Sequence, residues 1–269
     1  FAEGTATRPI IFTSRTNMEG TAGDNPISQW GGLVVLGRAP IHTCIGSGIT
    51  GGSVSCESRV EGADGLYGGA TPTDNSGRLR YVQVRFPGFE VSAGNELNGI
   101  TFAGVGSGTF AENIQVHNSS DDGIEWFGGR VNHRYIAITG ADDDSLDTDL
   151  GYRGAAQFGL VLQRSTGGDR MIEAETSGND TRTPRSRPML SNFTFIGRRA
   201  PNGLLFRGGT DFDVVNSIIQ KDAGACVQFA DAFTISTDNA PSDPTAKKAG
   251  PPNFRSVFMS CTGGAANGS

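Results

Sequence analysis

Five aspartates fall within eight positions, Asp142, Asp143, Asp144, Asp147 and Asp149, in the stretch GADDDSLDTDLGYRG (140–154). A second acidic group, Asp121, Asp122 and Glu125, precedes it in SSDDGIEWFGG (119–129). Carboxylates at this density repel one another unless solvent screens them, they share a proton, or a cation binds. The first chemistry they suggest is Ca²⁺ binding, which takes six to eight oxygens near 2.4 Å from carboxylates and carbonyls. Glu125, Asp144, Asp147 and Asp149 are the candidate ligands, with Asp121, Asp122, Asp142 and Asp143 at the preceding turns. No EF-hand loop and no nonapeptide calcium repeat is present. The competing expectation for the turn aspartates is local Asx-turns, which need no metal.

The second chemistry is glycan cleavage. Uronate lyases combine a cation that neutralises the sugar carboxylate with a basic residue that removes the α proton. Inverting glycosidases need two carboxyls about 6.5–9.5 Å apart. Glu125, Asp147, Asp149 and Arg153 are the catalytic candidates, with Phe127, Tyr152, Arg130 and Arg207 as residues to hold a sugar. The constellation is incomplete: no Gly-His-Gly or Arg-Ile-Lys segment follows the aspartates, and no Lys lies nearby. His117 and His133 read as solvated surface residues.

What must position these groups is a repeat. NGITF (98–102), DGIEW (122–126) and DSLDT (144–148) align, and their anchors Ile100, Ile124 and Leu146 step by 24 and 22 residues. A second series alternates with the first, ENIQV (112–116), RYIAI (134–138) and QFGLVL (157–162), and LRYVQVRF (79–86) and LVVLGRA (33–39) extend the pattern toward the N-terminus. Copies continue through SNFTFIG (191–197), NGLLFRGG (202–209), DVVNSII (213–219) and CVQFA (226–230). Segments are short, rich in β-branched and aromatic residues, and bounded by Gly, Asn, Asp or Ser. No stretch carries a sustained helical period. The spacing predicts an all-β, parallel β-helix of about 22-residue coils, in preference to a β-sandwich or propeller. Forty glycines without a collagen period fit its many tight corners.

Alternation then sets a register. Ile100, Phe102, Ile124, Trp126, Leu146 and Thr148 point inward. Thr101, Glu125, Phe127, Asp147 and Asp149 point outward, so Glu125 stacks beside Asp147. Three stretches break the pattern and read as inserts: 42–76, 164–188 and the Pro-rich 237–253. The whole chain, 1–269, reads as one domain and as a piece of a longer protein.

At this point AEGTATRPIIFTS, WGGLVVLGRAPI, DDGIEWFGG and ADDDSLDTDLGYRGAAQF resemble a family of bacterial secreted or outer-membrane-associated right-handed β-helix proteins. These are lipoprotein-like, with a pectate-lyase-like fold. The resemblance implies a fold and a location more than a reaction: an extracellular or outer-membrane surface, and partners there.

Charge and cysteine content narrow the classes further. A net charge of −6 argues against a nucleic-acid partner. The longest apolar run, GGLVVLG, is far too short to span a bilayer. Cys44, Cys56, Cys226 and Cys261 do not match a zinc knuckle; two disulfides, Cys44–Cys56 and Cys226–Cys261, are the simplest reading, against buried free thiols. No phosphate loop or nucleophile elbow is present. The chain therefore reads as a secreted binding, adhesion or surface structural module, Ca²⁺-stabilised and glycan-binding. The alternative is a lyase or hydrolase of acidic polysaccharide.

Overall fold

A computed structural model of the chain describes residues 1–176, 182–198, 202–236, 251–263 and 265–267. Two parallel sheets wind past each other. The long-strand sheet runs Ala2–Glu3, Arg78–Arg85, Phe110–His117, Asn132–Thr139, Ala155–Leu162, Met189–Gly197, Asp213–Lys221 and Asn253–Ser260, with Ile10–Phe12 also on Arg78–Arg85. The short-strand sheet runs Leu33–Leu36, Ile100–Ala103, Ile124–Phe127, Leu146–Asp149, Ile172–Ala174, Asn202–Phe206, Ala225–Phe229 and Ala265–Asn267. The chain alternates between the sheets once per coil, so it is a parallel β-helix. Ile100, Ile124 and Leu146 stack in register, as the repeat predicts.

Each coil buries the alternate apolar residues of both sheets in one continuous core. Trp126 stacks on Tyr152 with ring centroids 5.2 Å apart, and its indole N–H donates to His133 Nε2 at 2.9 Å. The corners where coils meet leave no room for a side chain. A Cβ on Gly123 would lie 2.5 Å from the carbonyl oxygen of Ser145 on the next coil.

Each full-length long strand bends at one residue in the left-handed region: Tyr81, Asn113, Tyr135, Phe158, Asn192, Asn216 and Ser256, at φ between 47° and 64°. These residues stack from coil to coil in a single ladder.

The inserts differ from expectation in two places. Residues 42–76 do not project. They fold back over the outer face of the short sheet, where Ile41, Cys56, Val60 and Tyr67 enclose Ala103 and Phe127 in a second small core. The stretch 164–188 is not wholly outside the stack either, because Ile172–Ala174 is a rung that pairs with Leu146–Asp149 and Asn202–Phe206. Its short strand between polar flanks hides the rung from a pattern search. Arg185, in the same stretch, is fully buried with its Nε 3.3 Å from Asp211 Oδ1. Residues 237–250 of the third insert lie outside the described residues.

Both predicted disulfides are formed, Cys44–Cys56 and Cys226–Cys261, with Cα separations of 4.8 and 5.5 Å. They indicate folding in an oxidising compartment. Among the described residues no helix is long and apolar enough to cross a membrane. Cys226–Cys261 closes a sequence separation of 35 residues, against 12 for Cys44–Cys56. Loop-closure entropy then assigns about 4 kcal/mol to the first and about 3 kcal/mol to the second. Paired Cys→Ser variants are expected to lose stability in that order in thermal melts; equal melting temperatures for wild type and the Cys226/Cys261 variant would contradict it.

Candidate metal centre

The outward face of the short sheet carries the acidic residues in two stacked rows. The first runs Thr101, Glu125, Asp147, Glu173, Leu205. The second places Asp149 beside Phe127, with Glu175 and Arg207 on the following coils. The predicted pairing of Glu125 with Asp147 is therefore present, and the missed rung adds Glu173 and Glu175.

Glu125 is buried. Asn98 Nδ2 donates to its Oε2 at 2.5 Å, and Glu61 from the 42–76 insert hydrogen-bonds to it from above. One oxygen from each of Asp122, Glu125 and Asp147 lies within 4.8 Å of the others. That is the largest separation two oxygens can have on one cation at about 2.4 Å. Asp147 Oδ1 is buried without a hydrogen-bond partner. Burial first, then mutual repulsion, raises the carboxyls of Asp122, Glu125 and Asp147 well above the usual range. Burial and Asp143 push Asp121 up to about 7.

Two of the turn aspartates, Asp122 and Asp144, bond across coils rather than only within their own turn. Asp122 Oδ1 accepts from the backbone N–H of Asp144, one coil on, at 2.9 Å. Asp144 Oδ1 accepts in turn from the N–H of Arg170 at 2.5 Å. Each of these buried carboxylates thus caps the next coil's backbone. Further along the corner, Asp121, Asp142 and Asp143 join Glu90 and Glu96 around an open pocket of 480 Å³.

Of the three predicted arginines, Arg207 joins the strip. Arg207 pairs with Glu173 and, through Nε at 2.7 Å, with Glu175, whose side chain also hydrogen-bonds Asp149. Arg153 instead donates from Nε to the Arg185 carbonyl at 2.7 Å. Arg130 lies at the exit from the short sheet, with its backbone N–H on the Val105 carbonyl.

Neither proposed sugar-stacking aromatic is exposed. Phe127 does point outward, but the 42–76 insert covers it and leaves it 8% exposed. Tyr152 turns inward, 2% exposed, and its hydroxyl donates to the Val131 carbonyl. His133 is buried against Trp126, and desolvation lowers its imidazole to about 3, so it is neutral. His117 is half-buried, its Nδ1 2.7 Å from Thr139 Oγ1. Alternation shows which face a residue takes; it does not show what later folds over that face.

A family profile described as "Pectate-lyase like beta helix domain" matches residues 1–256. The chain belongs to this pectate-lyase-like β-helix family. No curated protein and no solved structure matches it. For a β-helix of this family, an enclosed carboxylate cluster on the short sheet is suited to hold a hard cation. Glu125, hydrogen-bonded to Glu61, is 6% exposed.

Proposed function

We propose that this pectate-lyase-like β-helix is a secreted or cell-surface bacterial binding module, stabilised by Ca²⁺ at the short sheet and directed at a glycan or other cell-surface component. Outer-membrane proteins are among the partners this reading admits. The observation that carries the calcium part is the convergence of Asp122, Glu125 and Asp147 around the buried, unpartnered Asp147 Oδ1. An all-oxygen donor set of this kind fits a hard cation. Glu61 lies against Glu125 and is placed to complete the set. A cation there would neutralise charges on two successive coils and on the insert at once. Its chemistry would be structural, because Glu125 and Asp122 are buried. Asp144 belongs to the same buried acid network, and Asp149 to its Arg207-paired edge. Calorimetric titration of chelated protein with CaCl₂ is expected to show saturable binding that Asp147→Asn weakens on the order of tenfold or more. Absence of binding heat together with an unchanged melting point would sink the reading.

A second reading, a lyase or hydrolase of acidic polysaccharide, draws on the family and on Arg207 lying among Glu173, Glu175 and Asp149. Both of that arginine's ion pairs would have to open for it to act as a base. Turnover of uronate polymers with and without calcium separates the two readings.

A further inference from the structure

The left-handed ladder on the long sheet has a composition that backbone energetics do not explain. Asn tolerates this conformation, and Asn113, Asn192 and Asn216 occupy three of its rungs. Bulky side chains are outliers there. Yet Tyr81, Tyr135 and Phe158 occupy three others, and Tyr135 and Phe158 leave 46% and 36% of their surface in water. Their rings stack on adjacent coils with centroids 5.2 Å apart and planes 12° from parallel. The exposed Arg134 guanidinium lies 5.3 Å from one centroid and 5.7 Å from the other. Two coils earlier the pairing recurs, with Arg80 5.4 Å from the Tyr81 ring. Unfavourable backbone and exposed aromatic surface coincide here, as they do where binding maintains both.

We propose that this ridge, on the sheet remote from the carboxylate cluster, binds an anionic polysaccharide laid along the β-helix axis. The inference rests on the glycan-binding reading above and gives it a place. The ridge is one residue wide and periodic at the strand spacing, so Tyr81 and Tyr135 lie about 9.6 Å apart. A linear polymer of sugar rings matches that form. A protein partner would need a broad patch of about 800 Å². Aromatic rings suit the C–H faces of sugars, the Asn113 and Asn192 amides suit hydroxyls, and Arg80 and Arg134 suit carboxylates. Glu3 and Glu112 alternate with Arg80 and Arg134 in register, and Arg255 at the far end leaves the row with one net positive charge.

The test compares wild type with Tyr135→Asn/Phe158→Asn and Arg134→Gln. Binding of alginate, and of dextran as its neutral counterpart, is measured by affinity electrophoresis at two salt concentrations. Asn is the ladder's own solution at this bend, so the double variant should melt at or above wild type. Wild type is expected to bind alginate in preference to dextran and to weaken with salt. The double variant should lose about tenfold or more in affinity, as stacking energies imply. Arg134→Gln should weaken alginate selectively and leave dextran unchanged. The ridge proposal falls if the double variant binds alginate as wild type does. It also falls, with the calcium reading intact, if wild type does not bind alginate. Binding that the double variant retains in full leaves glycan recognition standing but places it off the ridge. Conversion of a wild-type dimer to monomer by the double variant, with alginate binding unchanged, would assign the ridge to self-association instead.

Discussion

Chelation with EDTA is expected to lower the melting temperature strongly at pH 8 and weakly at pH 5. In the cation-free protein the cluster carboxyls have raised folded-state pKa values: Asp121 reaches about 7, and Asp122, Glu125, Asp144 and Asp147 are raised well above the usual range. The folded state then holds more protons than the unfolded chain. Stability from this source is fully present below the unfolded carboxylate range near pH 4, and it is lost as pH rises through the folded values. Cation-free protein should therefore weaken from about pH 5 to 8. Calcium at a hundred times its dissociation constant restores about 2.7 kcal/mol, or about 5–10 °C in a chain of this size. At pH 5 protons compete with the ion, and the gain shrinks. Asp147→Asn should act in opposite directions: it weakens calcium binding, yet it stabilises the cation-free protein at pH 8 by removing one buried charge. Identical melting in EDTA and in millimolar calcium at pH 8 would refute the site.

Trp126→Ala is expected to destabilise the fold by about 3–5 kcal/mol, the range for emptying a large aromatic site in a packed core. Trp126 is 1% exposed, stacks on Tyr152 and donates to His133. Its loss leaves Tyr152 without a neighbouring face and a buried imidazole nitrogen without its donor. The unsatisfied nitrogen adds a desolvation penalty to the cavity term. Trp126→Phe keeps the aromatic face but not the N–H, so it should lose about 1–3 kcal/mol by the same argument. Urea denaturation with an unchanged slope measures both. A loss below about 1 kcal/mol for the alanine variant would show that the coil repacks around the gap, contrary to the close packing on which the figure depends.

Legibility followed the physics of the repeat. Inward residues such as Ile100, Ile124 and Leu146 must be apolar on every coil, and the corner at Gly123 has no room for a side chain. These constraints are local and recur at a fixed spacing, so they appear as motifs. Glu125 and Asp147 were legible as a stacked pair for the same reason. The rung Ile172–Ala174 was not, because three residues between polar flanks carry too little period. With it went Glu173 and Glu175, the partners of Arg207.

The sequence by itself therefore determined the β-helix, its register, the two disulfides and the face on which the acids gather. Each follows from strand alternation, coil spacing or simple pairing. Only the tertiary structure decided what covers that face and what each acid meets. The 42–76 insert buries Phe127 and brings Glu61 onto Glu125, Tyr152 turns inward onto Trp126, and Asp122 and Asp144 cap the next coil. These are contacts between segments tens of residues apart, set by the path of a non-repeating insert and by stacking between coils. No local pattern records them.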